Sequence, residues 1–179
     1  MLDRVANGDL AGAVRRLMQC HGAAVYRYCR EAVHDATLAD DVHQQVFIEA
    51  YRDLPRFAGR SPLRIWLFAI ARHRVLDAAK QRRRAQAHVA EGDAADALDP
   101  RPSPADAFDD ARLREALAAS LDELGEPSRT AVLLRYQQGF TFEQMAEICC
   151  EKAGTLHARV ARALAVLRVS IQARIGCSP

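Results

Sequence analysis

Two apolar stripes with helical spacing flank a short corner in the stretch from Gly139 to Arg168, and this pattern constrains the fold most strongly. The first stripe contains Phe142, Met145, Ala146 and Cys149, and the second contains Leu156, Val160, Leu164, Leu167 and Ile171. Apolar residues three and four positions apart predict one buried face on each helix. Small and basic residues fall opposite the second stripe, namely Ala158, Ala161 and Arg162, with Arg159 on a flank. The stretch fits a DNA-binding helix-turn-helix or an ordinary helical hairpin with solvated arginines.

Local signals also mark the helix boundaries around this pair. Thr141 followed three residues later by Gln144 has the form of a capping box, in which each side chain binds an unpaired backbone N–H. Pro127 predicts the start of a preceding helix over residues 128–138, and Gly139 predicts its end.

Composition favours helices over strands throughout the chain. Ala, Arg and Leu dominate the 179 residues, whereas glycine (9 residues) and aromatic side chains (6%) are sparse. Half of the residues are hydrophobic, which excludes a chain that is disordered throughout and allows one domain or two small ones. We therefore expect an all-α fold.

The net charge is only +2, but the charges are segregated along the chain. A basic block contains Arg72, Arg74, Lys80, Arg82, Arg83 and Arg84 against the single Asp77. An acidic block contains Glu91, Asp93, Asp96, Asp99, Asp106, Asp109 and Asp110 against Arg101. The basic block suggests a polyanionic partner, and the acidic block suggests a tail or a linker.

The sequence also bears on the cellular compartment. No apolar run reaches the length of about 20 residues that spans a bilayer, and the N-terminus lacks the apolar segment of a secretory signal. The five cysteines are odd in number and mostly lie in apolar helical patterns, which favours reduced thiols. We expect a cytoplasmic protein without membrane insertion.

Periodicity and capping residues predict four further helices. The first covers residues 9–32 with a break near Gly22, and the second covers 37–53 and is ended by Pro55. The third runs from Ser61–Pro62 into the basic residues 80–84, and the fourth runs from about 105 to Gly125. Between Ala85 and Pro104 the periodicity fails, and the Ala-, Asp- and Pro-rich composition predicts a flexible acidic linker. The expected organisation is a helical domain over 1–86, a linker over 87–106 and a second helical domain over 107–179.

Several stretches, taken in order, resemble a bacterial RNA polymerase sigma factor of the extracytoplasmic-function type. Leu38–Arg52 resembles region 2.2 of that family, and Phe57–Arg84 resembles regions 2.3 and 2.4. Leu121–Ile148 followed by Gly154–Arg168 resembles region 4. The resemblance implies two small helical bundles, the second with a helix-turn-helix, joined by the acidic linker. It also implies a transcription initiation factor that binds core RNA polymerase and directs it to promoters.

The resemblance implies contacts with polymerase on two surfaces. The exposed side of the 37–53 helix, with Asp40, Asp41, Gln44 and Gln45, would meet the clamp helices of the largest subunit. Exposed acid and amide groups suit a basic helical partner, although the same face could simply be solvated. Leu133 and Leu134 would help to form a site for the flap of the second-largest subunit, or else belong to the bundle core.

The resemblance further implies contacts with promoter DNA. The melted −10 element would lie against Phe57, Gly59, Arg60, Ser61, Arg64, Arg72, His73, Arg74 and Asp77, with Lys80, Arg82, Arg83 and Arg84 on the DNA backbone. The −35 duplex would be contacted by Thr155, His157, Ala158, Arg159, Ala161 and Arg162, where the arginine fork of Arg162 suits a guanine or a phosphate. Trp66 is expected in the core, because its spacing with Leu63 and Leu67 is that of one buried helix face.

Four departures from the family pattern bear on these expectations. Gln45 stands where relatives usually have glutamate, and His73 stands where asparagine is frequent. The corner Cys150–Lys152 replaces a glycine–apolar–serine sequence, so Lys152 cannot accept a capping hydrogen bond and Glu151 introduces a charge. His157–Ala158 replaces a common basic–serine pair.

Other functions are weighed against this one. Cys149, Cys150 and His157 could form a metal or redox sensor, but the ligand spacing of a zinc site is absent. No catalytic or phosphate-binding motif is present, so we expect no enzyme, no cofactor and no metal. A helix-turn-helix repressor would explain residues 139–168 but not the basic helix 61–84. The expected partners are core polymerase, promoter DNA and an anti-sigma protein, which commonly inhibits such factors.

Overall fold

A computed structural model describes residues 9–89 and 106–176, and the fold is all-α, as predicted. Its helices are α1 (Leu10–Val33), α2 (Ala36–Asp53), α3 (Leu63–Val89), α4 (Asp106–Glu123), α5 (Glu126–Val132), α6 (Phe142–Cys149) and α7 (Ala153–Ile175). A 3₁₀ turn (Leu54–Arg56) follows α2, and a π-helical turn (Leu133–Gln137) continues α5. In these described ranges no helix is long and apolar enough to cross a membrane.

The first domain packs α1, α2 and α3 around an apolar core, and α1 runs through Gly22 without the predicted break. Glycine inside a helix costs about 1 kcal/mol relative to alanine, which is why a break was expected. Gly22 is buried, and its carbonyl oxygen lies 3.2 Å from the Nε2 atom of His43 on α2. Tertiary packing at the glycine therefore outweighs its low helix propensity.

Helix ends in this domain follow the chemistry of their capping residues. Asp35 caps α2 by accepting a hydrogen bond from the Leu38 N–H at 2.9 Å. Helix α3 begins at Leu63 rather than Pro62, because the Pro62 carbonyl accepts the first helical hydrogen bond, from Trp66. It continues beyond the basic residues to Val89, so residues 87–89 of the linker predicted over 87–106 are helical, and Asp106 at its other end begins α4. Residues 90–105 lie outside the described part of the chain.

The second domain contains the predicted helix-turn-helix, formed by α6 and α7. The capping box is confirmed, since the Thr141 Oγ1 accepts from the Gln144 N–H at 3.2 Å and the Gln144 Oε1 accepts from the Thr141 N–H at 3.0 Å. Helix α6 ends at Cys150, whose φ of 54° is left-handed, and the Glu151 N–H then binds the Ala146 carbonyl. Lys152 begins α7 without a side-chain cap, as its chemistry predicts.

The two domains also pack directly against each other, which the sequence did not predict. Phe68 of α3 meets Phe140, which precedes α6, with ring centroids 5.1 Å apart, and both side chains are fully buried. Gln138 donates from Nε2 to the Ala24 carbonyl of α1 at 3.3 Å, and Arg129 donates to the Ala32 carbonyl at 3.2 Å. The buried residues of both domains consequently form one continuous core.

We predict that Thr141→Ala lowers the free energy of unfolding by about 1 kcal/mol, because the substitution leaves the Gln144 N–H without its capping acceptor. Urea unfolding followed by circular dichroism measures this change. Thr37→Ala is the matched control, since Thr37 is exposed in the first turn of α2 while Asp35 provides the cap. An equal loss in both variants would contradict the capping role.

Candidate nucleic-acid interface

The outer face of α2 presents the four predicted polymerase-contacting residues together. Asp40, Asp41, Gln44 and Gln45 are all exposed, because Ala39, Val42 and Val46 turn the opposite face into the core. One turn further along the helix, Ile48 and Tyr51 are exposed and form a shallow apolar groove with Met18 of α1. Sequence analysis missed this groove, because α1 and α2 contribute to it jointly.

The loop before α3 places an aromatic pair beside exposed polar groups. Phe57 packs on Trp66 with ring centroids 5.1 Å apart, and Trp66 is half-buried against the core, as expected for a core residue. Gly59 has a φ of 66°, a backbone conformation that favours glycine, and Arg60 beside it is exposed. Ser61 is half-buried at the end of this loop.

The arginines of α3 predicted to meet the −10 element all have protein partners. Arg64 donates to the Gln138 carbonyl at 2.5 Å and lies 4.0 Å from the centroid of the Phe140 ring. Arg74 donates to both oxygens of Glu49 at 2.5 and 2.9 Å, and these hydrogen bonds raise the pKa of Arg74. Arg72 lies 3.7 Å from Glu151 of the second domain.

The remaining predicted DNA-contacting groups of α3 are more accessible. His73 is exposed, with its Nδ1 3.5 Å from the half-buried Asp77 carboxylate. Lys80, Arg83 and Arg84 are exposed along the basic end of the helix. Arg82 is also exposed, but it donates to the Val33 carbonyl at 3.1 Å, which fixes part of this basic segment to the end of α1.

Helix α7 presents most of the predicted −35 residues on its exposed side, namely Thr155, His157, Ala158, Ala161 and Arg162. This face is outward because Leu156, Val160, Ala163 and Leu167 are buried on the other side. His157 meets Phe142 of α6 edge-on with ring centroids 4.9 Å apart, which couples the contact face of α7 to the first helix of the pair. Arg159 is the exception, since it is half-buried and bound to Glu151.

Glu151 is the polar centre of the helix-turn-helix corner. Arg159 donates to both carboxylate oxygens, at 2.9 Å to Oε1 and 2.5 Å to Oε2. These hydrogen bonds hold the pKa of the Glu151 carboxyl below its usual range and raise the pKa of Arg159. Glu151, whose charge departs from the family pattern, therefore has two defined partners, Arg159 and Arg72.

A groove of about 1000 Å³ runs between α4, the π-helical turn and α7, and Arg30 and Glu31 of α1 line its edge on the side of the first domain. Its wall includes Leu133 and the exposed apolar side chains of Leu117, Tyr136 and Leu164. Leu134, predicted together with Leu133 as a polymerase contact, is fully buried inside the protein. Leu133 is also buried, with 4% exposed, so both leucines belong to the core and Leu133 alone borders the groove. Leu117, Tyr136 and Leu164 are groove residues that sequence analysis had treated as helix core or left unassigned.

The four cysteines within the described residues are free thiols in two different environments. Cys29 and Cys149 are buried, which raises their pKa values to about 12 and about 11, whereas Cys20 and Cys150 are exposed. Cys149 completes the apolar face of α6 next to exposed Cys150. Among residues 9–89 and 106–176, no group of three His, Cys, Asp or Glu side chains could hold a metal ion.

Comparison with known families matches both domains. A sequence profile described as Sigma-70 region 2 matches residues 17–85, and one described as Sigma-70, region 4 matches residues 114–167. The RNA polymerase sigma-H factor of Pseudomonas aeruginosa is 33% identical over 147 residues, which cover 78% of this chain and 76% of that protein. The ECF RNA polymerase sigma factor SigL of Mycobacterium tuberculosis is 29% identical over 164 residues, covering 90% of each.

Two solved structures share the fold at low sequence identity. The sigma factor RpoE from Bartonella quintana, in complex with the anti-sigma factor NepR, aligns with a TM-score of 0.68 and 23% identity over 92% of this chain and 98% of that chain. CnrH, in complex with the cytosolic domain of CnrY, aligns with a TM-score of 0.70 and 24% identity over 96% and 95%. The shared architecture therefore spans both helical domains.

We predict that native thiol labelling separates the adjacent cysteines of the corner. Iodoacetamide at pH 8 should modify Cys20 and Cys150, because a thiol with a pKa of about 11 is only about one thousandth thiolate at that pH and Cys149 is also buried. Peptide mass spectrometry with and without urea measures the difference. Equal labelling of Cys149 and Cys150 in the folded protein would contradict this assignment.

Proposed function

The chain belongs to the extracytoplasmic-function group of the sigma-70 family of RNA polymerase sigma factors, and we propose that it engages each promoter at two points. A factor of this family directs RNA polymerase to promoters for the initiation of transcription. In our proposal the second domain contacts the −35 duplex through α7. The first domain captures the −10 element as single-stranded DNA along α3 and the loop before it.

The exposed face of α7 is the observation that carries this proposal. It belongs to the second helix of a capped helix-turn-helix and presents a histidine, two alanines and Arg162 without a covering element. Small side chains allow the helix backbone to approach the base edges, and an arginine fork pairs with guanine or with phosphate. An α-helix of this form fits the width of a major groove.

The loop before α3 supports the −10 assignment on chemical grounds. Exposed Arg60 and the basic end at Lys80, Arg83 and Arg84 supply positive charge for phosphates. The half-buried Phe57–Trp66 pair supplies an aromatic edge close in sequence to Gly59, whose positive φ turns the loop. Aromatic stacking and backbone neutralisation are the two interactions that single-stranded DNA requires.

For polymerase binding we propose two separate surfaces. The acidic and amide face of α2, extended by the apolar groove at Met18, Ile48 and Tyr51, suits a basic helix with an apolar edge, such as a clamp helix. The groove lined by Leu117, Leu133 and Tyr136 suits the apolar face of a short helix, such as the flap tip. The similar sigma factor RpoE is in complex with the anti-sigma factor NepR, and we propose that an anti-sigma protein also regulates this chain.

The proposal is tested by titrating the protein into bacterial core RNA polymerase and transcribing a randomised promoter pool. Core binding together with enrichment of one −35 and −10 pair is the expected result. Selection of a single duplex site without core binding would support the repressor alternative and overturn the first-domain assignments. Failure to bind core or DNA would overturn both.

Charge reversal on α2 should weaken the polymerase contact. We expect Asp41→Arg to lower the affinity for core polymerase roughly tenfold, because it places a positive charge against a basic partner. Fluorescence anisotropy of the labelled protein against core polymerase measures the affinity. Glu147→Arg, an equal charge change at an exposed position of α6, is the control. Unchanged core affinity in Asp41→Arg would remove α2 from the interface.

Loss of Arg162 should weaken promoter binding selectively. We expect Arg162→Ala to lower the affinity of the holoenzyme for the selected promoter by roughly tenfold to a hundredfold, the discrimination provided by one arginine–base contact. Core affinity should stay the same, because Arg162 lies on the exposed face of α7. Arg15→Ala, an exposed arginine of α1, controls for the loss of one charge. A parallel loss of core binding would show that the role of Arg162 is misplaced.

A further inference from the structure

We propose that Glu151 is an autoinhibitory latch, whose carboxylate holds Arg72 of the −10 surface and Arg159 of the −35 surface together in the free protein. This inference rests on the proposed function, since it concerns how the two DNA-contacting surfaces are kept inactive. It gives a function to Glu151, an acidic residue in the corner of the helix-turn-helix whose negative charge is not explained by DNA contact.

One oxygen atom connects the two surfaces. Glu151 Oε1 lies 2.9 Å from Nη1 of Arg159 and 3.7 Å from Nη2 of Arg72. All three side chains are about three-quarters or more covered, with exposed fractions of 20% for Arg72, 26% for Glu151 and 21% for Arg159. Partial burial strengthens these attractions relative to a fully solvated pair.

This arrangement is incompatible with contact to both promoter elements. The −10 and −35 elements are separated by about 25 base pairs, or roughly 85 Å at 3.4 Å per base pair. Arg72 and Arg159 cannot reach both elements while they share one carboxylate. The ion pair between Glu151 and Arg72 must therefore separate before the proposed promoter contacts can form.

Further contacts beyond Glu151 also hold the two domains together. Arg64, a further predicted −10 residue, donates to the Gln138 carbonyl and stacks over Phe140 of the second domain. At the far end of the interface, His34 lies 3.0 Å from Asp122, and Arg129 donates to the Ala32 carbonyl. Two arginines of the predicted −10 surface, Arg64 and Arg72, are thus held by the domain that carries the −35 surface.

Glu151 also separates two like charges. Without its carboxylate, the guanidinium groups of Arg72 and Arg159 would face each other across the domain interface. Neutralising Glu151 therefore removes an attraction and exposes a repulsion, and both changes favour the open arrangement. Opening frees Arg72 for the −10 element, whereas Arg159 is freed only when the Glu151 carboxylate is removed, because both residues belong to the second domain.

Glu151→Gln, which keeps the side-chain shape and removes the charge, tests the latch. The affinity for a short duplex carrying the selected −35 sequence is measured for the free full-length chain and for the holoenzyme. The substitution removes the carboxylate partner of Arg159 both in the free chain and in the holoenzyme. Only in the free chain does it also remove the contact with Arg72 that holds the two domains together. We expect the gain in affinity to be at least about threefold larger for the free chain than for the holoenzyme.

Glu147→Gln is the matched control, because Glu147 is an exposed glutamate on the preceding turn and forms no ion pair among the described residues. It should produce no difference between the two settings. Equal gains for Glu151→Gln in free chain and holoenzyme, or the same effect from Glu147→Gln, would overturn the latch. If the wild-type holoenzyme selects no promoter at all, the proposed function fails instead, and the two failures are distinguishable.

A double-mutant cycle provides a second test, whose result would not change if Glu151 only stabilised the fold. Arg72→Gln should also raise the −35 affinity of the free chain, although Arg72 touches no −35 base in the proposed complex. Combined with Glu151→Gln it should add little, because both changes break the same contact. Additive effects of the two substitutions would overturn a shared contact between Arg72 and Glu151.

Discussion

The packing of Phe68 against Phe140 is the contact on which the arrangement of the two domains depends. Each aromatic ring comes from a different domain, each is fully buried, and Tyr28 packs on Phe68 with its ring centroid 5.7 Å away. Burying one such side chain contributes about 1.5–3 kcal/mol, more than an exposed ion pair supplies. Arg64 lies beside both rings of this pair, and Gln138, whose carbonyl accepts from Arg64, donates to the Ala24 carbonyl of α1.

Helix α3 consequently has two roles that compete for the same side chains. Its buried face, with Phe68, Ala71 and Val75, holds the first domain together. Its flanking arginines, Arg64 and Arg72, carry charge suited to DNA but are bound to the second domain in the closed structure. Two cations suited to a polyanion are thus paired with a carbonyl and a carboxylate group of the same chain.

Other surfaces remain accessible in the closed structure. The polar face of α2 is exposed, and the groove beside Tyr136 lies at the domain contact, where Arg30 and Glu31 of α1 line its edge. The outer face of α7 is also exposed, apart from Arg159. A partner that binds α2 and the groove together can therefore act on both domains before DNA arrives, which provides a physical route from polymerase binding to domain opening.

The sequence by itself determined the helices, the capping box at Thr141 and Gln144, and the outward faces of α2 and α7. These features follow from periodicity and from hydrogen bonds between residues a few positions apart, so local chemistry suffices to predict them. Only the tertiary structure decided that α1 continues through Gly22, that Leu133 and Leu134 are both buried with Leu133 at the edge of a groove, and that Arg64 and Arg72 bind the second domain. Those outcomes depend on contacts between residues up to 79 positions apart, such as Arg72 with Glu151, and no local pattern encodes which distant side chain will lie opposite.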